Sequence, residues 1–423
     1  MELRVVGQNE IRVDGRSKVT GKALYPEDIA MEAMVYGKTL RSTRPHAYFT
    51  LDVRQAEKMQ GVLTILTAAD VPHNAHGVLL KDHEVFNQKK VRRIGDPLAF
   101  VVAITEAAAQ QALQKIIVTY EDLPAVFDPE EALKPDAPRV HEKGNLVYHF
   151  KLRKGDVAEG FRQSHVIIEQ EYRTPMVDHA FLQPESGLAY EEADGKLVVC
   201  AATQYPHFDQ LEIAEALELP VERVKVINPA VGGAFGGRED VTMQIHLALA
   251  AWLLKRPVKT TYSREESFHA HAKRHAMKMK YKTGADKEGN LLAMEATIYS
   301  DTGAYASWAI NVLRKAGVHA TGPYLIPHVK VDGYSAYTNH PFAGAMRGFG
   351  AAQVPIAHEM QMDALAEQLG ISPVAIRLKN AFQVGSTTAT GQLLSESVPL
   401  RECIESVAEK MDMPLKELEG ISR

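Results

Sequence analysis

Cysteine is nearly missing from this 423-residue chain: Cys200 and Cys403 stand far apart, and no CxxC occurs. That excludes a thiolate-bound iron–sulfur cluster or zinc ribbon within the chain, so electrons leaving it must be carried elsewhere. No apolar run approaches the roughly 20 residues of a membrane-spanning helix; the most apolar stretch, Leu247 to Leu254, is interrupted on both sides. No excess of either charge is present. With 48 Lys and Arg against 53 Asp and Glu, the net charge of -5 gives no field to draw nucleic acid or an anionic membrane. The charged start MELRVVGQNEIRVDG does not read as a secretory signal, so a soluble, cytoplasmic protein is the expectation. No internal repeat or low-complexity tract interrupts the chain.

What is present is an ordinary globular composition, 45% hydrophobic and 24% charged, on a chain long enough for two or more domains. Val62 to Leu66 and Leu98 to Ile104 read as strands, and Thr105 to Gln114 as an Ala-rich helix. Four prolines between Asp122 and Asn145 mark a connector. Beyond it, Val166 to Tyr172, Leu197 to Ala201 and Val224 to Ile227 read as strands, with a helix from Phe208 to Leu217 that Pro220 stops. Met277, Met279 and Tyr281 alternate with lysines, as on a strand with one wet face. Gly370 closes a helix and Ser372-Pro373 opens the next. The expected class is α+β, with domains at 1–125 and 151–423 joined by a connector at 126–150.

Two glycine-rich segments could carry chemistry. In Gly232-Gly233-Ala234-Phe235-Gly236-Gly237, four glycines let backbone N–H groups approach a ligand, and Met243, Leu247, Ala250 and Leu254 predict a helix after it whose N-terminus favours anions. The pattern is not a nucleotide-binding one. Read alone, it is as readily a structural turn. The second segment, Ala345-Met346-Arg347-Gly348-Phe349-Gly350, holds an aromatic between glycines, suited to stacking on a ligand or to ordinary packing. His269, His271 and His275 resemble a metal cluster, but Lys273 and Arg274 between them oppose a cation, and surface positions are expected. Ser263 to Ser267 lacks the glycine elbow of a hydrolase nucleophile and is read as structural.

Taken in order, Thr203-Gln204, the 232–239 loop and Arg347-Gly348-Phe349-Gly350 resemble the molybdenum-binding subunit of the xanthine dehydrogenase family. Gly21 to Tyr25, Arg41 to Ala47 and Val91 to Pro97 resemble that family's N-terminal hammerhead domain. The resemblance implies an α/β hammerhead-like domain followed by the first molybdopterin-binding α+β domain. It implies molybdopterin, with a cytosine dinucleotide form as one option, and no direct metal ligand from the protein. Gln204, Gly233, Ala234, Phe235, Gly236 and Arg347 would contact the cofactor. Glu239 and Arg314 would bind and polarise substrate, with Lys315 replacing Arg314 under a one-residue shift, and Phe349 would stack on its ring. Arg238 stands where the family usually has lysine.

The family's catalytic glutamate falls in a later region, so a second molybdopterin-binding subunit is implied, with iron–sulfur and FAD subunits as electron acceptors. Water would supply the inserted oxygen. Glu239 with Arg314 suits a small heteroaromatic substrate such as hypoxanthine or xanthine; another N-heterocycle like nicotinate, an aldehyde, or a non-catalytic cofactor-carrier or assembly role are the alternatives.

Overall fold

The computed structural model describes residues 4–412; the extremes of the two expected domains, 1–3 and 413–423, lie outside the described residues. Most strand readings reappear with small shifts, at Val62–Leu66, Pro97–Ala103, Val166–Thr174, Leu197–Ala201 and Val224–Ile227. The Ala-rich helix runs Glu106–Leu113, with the Thr105 hydroxyl accepting from the N–H of Ala108 as an N-cap. Strand Ala276–Ala285 buries Met277, Met279 and Tyr281 and turns its lysines outward.

Three sheets organise the chain. A seven-stranded sheet runs, edge to edge, Val224–Ile227, Leu197–Ala201, Ser186–Glu191, Val258–Thr261, Val35–Arg41, Pro97–Ala103 and Val62–Leu66. Both sides of the connector contribute to it, because Val35 and Tyr36 pair in parallel with Val258 and Lys259. A five-stranded sheet, ordered Leu146–Lys154, His328–Tyr337, Leu291–Gly303, Ala276–Ala285 and Val166–Thr174, forms the second layer system. A small three-stranded sheet flanks the first.

Two large cores follow. One packs helix Gln244–Leu254 against the seven-stranded sheet; the other packs helices Ala309–Val318 and Pro355–Leu369 against the five-stranded sheet. The helical spacing of Met243, Leu247, Ala250 and Leu254 suggests one apolar face, yet every residue from Gln244 to Ala251 is buried. Its apolar sequence leaves no wet side to distinguish, and each fully buried leucine contributes about 1.5–3 kcal/mol. The connector is anchored rather than loose: Asn145 donates to the carbonyls of Ala132 and Pro138 and accepts from Val140 N–H.

Three local readings need correction. Helix Pro206–Ala216 is ended by Glu218 at φ 51°, with Leu219 N–H bonding Ala214 O, ahead of Pro220. The helix after the glycine loop begins only at Gln244, so 238–243 separate the loop from its N-terminus; the Gln244 side chain instead accepts from Thr242 and Met243 N–H. His271 and His275 are buried, not superficial, because helix Arg264–Ala270 ends there and the chain dives between layers. His271 then lies 3.4 Å from Asp178, which also pairs with Lys273 at 2.9 Å.

Candidate functional site

The glycine loop leaves the end of strand Val224–Ile227, and the second glycine segment leaves the end of strand His328–Tyr337, so the two motifs come from different sheets. They meet directly. Arg347 N–H donates to Phe235 O at 2.9 Å, and a Cβ on Gly236 would stand 2.6 Å from Ala345 O. Gly236 has φ 102° and Phe235 φ 54°, so the loop turns through the left-handed region and leaves the Phe235 ring half exposed. Among the described residues, the N–H groups of Gly233, Ala234 and Phe235 find no partner, whereas Gly236 N–H is held by Gln204.

Gln204 is the hub of this arrangement. It sits where strand Leu197–Ala201 turns into helix Pro206–Ala216, a turn fixed by reciprocal hydrogen bonds between Asn228 and Thr203. Its Oε1 accepts from Gly236 N–H at 2.8 Å, and its Nε2 donates to Glu239 Oε1 at 3.3 Å. Burial raises the Glu239 carboxyl above its usual range, partly opposed by the neighbouring Tyr205 hydroxyl. Behind it, burial pushes Asp240 up to about 7, as it does Asp209 beside Thr203. The site is therefore backed by carboxyls that hold protons near neutrality.

Phe349 has φ 51° and is half-buried, its ring 5.8 Å from Trp308, which lies 6.0 Å from Tyr205. These three aromatics make a row from the Gln204–Glu239 side to the second loop. Gly350 presses on the helix Ala309–Val318, since a Cβ there would meet Val312 O at 2.1 Å. That helix carries Arg314 and Lys315, both exposed; no hydrogen bond or ion pair among the described residues joins Arg314 to Glu239 or Phe349. The Arg347 side chain is exposed, while its carbonyl accepts from Arg274 at 2.8 Å. The structure thus gathers Gln204, 233–236, Glu239, Arg347 and Phe349, and leaves Arg314 on an adjoining helix.

Tyr205, Trp308, Gln183 and His179 were not singled out from sequence. Tyr205 directly follows Gln204 and Trp308 is one of two tryptophans, which were available signals. The segment around His179 offered none.

Comparison with known proteins fits this geometry. The chain matches the aldehyde oxidase and xanthine dehydrogenase a/b hammerhead domain over residues 20–124 and the molybdopterin cofactor-binding domain over residues 140–381. It is 42% identical over 411 residues to the nicotinate dehydrogenase large molybdopterin subunit of Eubacterium barkeri, spanning 97% of both chains. The chain belongs to the molybdenum hydroxylase family of xanthine dehydrogenases and aldehyde oxidases.

Other members of this molybdenum hydroxylase family are longer. Identity to the xanthine dehydrogenase molybdenum-binding subunit of Escherichia coli O157:H7 is 35% over 413 residues, covering 93% of this chain and 54% of that one. The aldehyde oxidoreductase of Desulfovibrio gigas superposes with a TM-score of 0.91 at 30% identity, covering 95% of this chain and 46% of that structure. The chain thus spans about half the length of those two relatives. The expected fold, a hammerhead domain followed by a molybdopterin-binding domain, and the expected cofactor stand. The residues present also fit the cofactor. Three unpartnered peptide N–H groups on an exposed glycine loop, with the Gln204 amide beside them, offer donors for a polar, anionic group that needs close backbone approach. No helix among the described residues is long and apolar enough to cross a membrane.

Proposed function

We propose that this chain is one subunit of a molybdenum hydroxylase that oxidises an N-heteroaromatic ring. The observation that carries the reading is Glu239: a half-buried carboxyl beside Gln204 and Tyr205, at the open end of an aromatic row, with no cation paired to it among the described residues. Such a carboxylate keeps an acceptor for a ring N–H, and the ring faces of Phe349 and Trp308 suit a flat substrate. When bound, the molybdenum cofactor would supply the oxidising centre that takes up two electrons as an oxygen from water is inserted into the ring and two protons are released. Gln204 and the 233–236 backbone hold it, Phe349 and Glu239 orient the ring, and Arg314, or Lys315 beside it, stabilises negative charge developing on the substrate. Iron–sulfur and FAD subunits accept the electrons, and a second molybdopterin-binding subunit contributes the general base.

Two substrate readings have separate support. Glu239 favours a purine such as hypoxanthine or xanthine, whose ring N–H it would accept; the 42% identity along the whole nicotinate dehydrogenase subunit favours a pyridine carboxylate. Turnover of the purified complex with xanthine, hypoxanthine, nicotinate and an aromatic aldehyde decides between them. For a purine, Glu239→Ala removes a charged hydrogen bond and lowers kcat/KM roughly tenfold to a hundredfold. Purine turnover untouched by the substitution defeats that reading, and a molybdenum-loaded complex inert toward all four compounds defeats both in favour of a cofactor carrier.

A further inference from the structure

Five residues that no motif marks, His179 to Gln183, hold both glycine segments at once. Their inward members alternate. His179 Nε2 lies 2.7 Å from Ala345 O, and burial keeps this imidazole neutral, down to about 4, so its N–H donates to the second loop. Gln183 Oε1 accepts from Gly232 N–H at 2.8 Å, and Gln183 O accepts from Arg238 Nη2 at 2.5 Å. Arg238 Nε donates to Gly233 O at 3.0 Å, and its guanidinium lies 4.3 Å from the centre of the Phe181 ring. A Cβ on Gly237 would meet the rings of His179 and Phe181 at 2.9 Å. Between them, Ala180 adopts φ 48° and Leu182 points outward, 90% exposed.

We infer that His179, Phe181, Gln183 and Arg238 form a positioning clasp that sets the distance between the glycine loop and the Arg347–Gly350 loop, and so the placement of the loop N–H groups toward the molybdenum cofactor. Three features support a role in placement over mere filling. His179, Gln183 and Arg238 each bond loop backbone, the atoms whose position matters, while the Phe181 ring packs against the Arg238 guanidinium. One short segment touches both loops, which come from different sheets. Arg238, buried among these carbonyls, satisfies two of them with one rigid fork, which a lysine ammonium does less well.

The clasp does not touch substrate, so its loss alters kcat through misplacement of the cofactor and leaves KM nearly unchanged. The inference rests on the cofactor-binding reading, and the test separates the two. In the purified complex, Arg238→Met should raise amide exchange in the 232–238 peptide about tenfold, shift the molybdenum EPR spectrum of the dithionite-reduced complex, and lower kcat roughly tenfold with KM within about threefold. Arg238→Lys should return most of each measure toward the wild-type value by keeping one carbonyl contact. His179→Phe should raise exchange in the 345–350 peptide and spare 232–235. An Arg238→Met complex with native exchange and a native EPR spectrum overturns the inference. If that variant fails to accumulate folded, His179→Phe decides alone, and unaltered exchange at 345–350 overturns it. A wild-type complex without molybdenum would instead sink the functional reading, while the exchange measurements still judge the clasp.

Discussion

Placing a single methyl group on Gly236 tests whether the contact between the two loops is as tight as described. At φ 102° a residue with Cβ is strained, a cost of about 1–2 kcal/mol. The new carbon would also stand 2.6 Å from Ala345 O, 2.8 Å from its carbonyl carbon and 3.0 Å from Met346 Cα. These are backbone atoms that cannot rotate aside, so overpacking adds about 1–3 kcal/mol. Gly236→Ala should therefore destabilise the fold by about 2–5 kcal/mol. Gly391 is the internal control: its φ of 88° imposes similar strain, but nothing lies within 4 Å of a Cβ there. Gly391→Ala should cost only the strain, about 1–2 kcal/mol. Urea unfolding of both variants, followed by tryptophan fluorescence, reads the difference, because Trp308 reports on the neighbourhood of the second loop. Equal midpoints for the two variants would refute the claim that the loops abut through backbone at Gly236.

Two predictions concern pH. Asp240, raised from 3.8 to about 7 by burial, favours its neutral form in the folded state, so its ionisation costs stability progressively as pH climbs through that window. Stability gained by Asp240→Asn over wild type should grow between about pH 4 and pH 7 and level off above, in urea titrations at each pH; a gain independent of pH would show the carboxyl to be ordinary. His340, whose Nδ1 lies 2.7 Å from Asp301, is raised above its usual value by that hydrogen bond. Its contribution is complete below pH 6.5 and lost as pH rises through the raised value, so NMR titration of its ring should give a midpoint above 6.5, and His340→Gln should flatten the same limb of the stability profile.

The two glycine segments were legible in the sequence because glycine and an isolated aromatic are unusual in regular structure, and both adopt positive φ at Phe235, Gly236, Gly348, Phe349 and Gly350. That they touch was not, since hydrogen bonds between loops of different sheets leave no periodic trace. Strand Ala276–Ala285 was readable from its alternation, whereas in helix Gln244–Leu254 the spacing of Met243, Leu247, Ala250 and Leu254 pointed to one face while every residue from Gln244 to Ala251 is buried. The histidines near 271 were read as surface residues because Lys273 and Arg274 stand between them, yet helix Arg264–Ala270 stops there and His271 and His275 are buried. Residues 179–183 stayed unread for a related reason: their alternation belongs to an irregular segment, with Ala180 left-handed, whose inward side chains are defined only by the loops they grip.

The parallel pairing of Val35 with Val258 has a consequence for biosynthesis. Strand Val35–Arg41 leaves the ribosome more than two hundred residues before its neighbour Val258–Thr261 is translated. Until then the nascent sheet of Val35–Arg41, Pro97–Ala103 and Val62–Leu66 presents an open hydrogen-bonding edge, the kind of surface that recruits other chains. Slow translation, or truncation before residue 258, should therefore raise aggregation, and the soluble yield of a chain ending before Val258 against that of the full chain checks it.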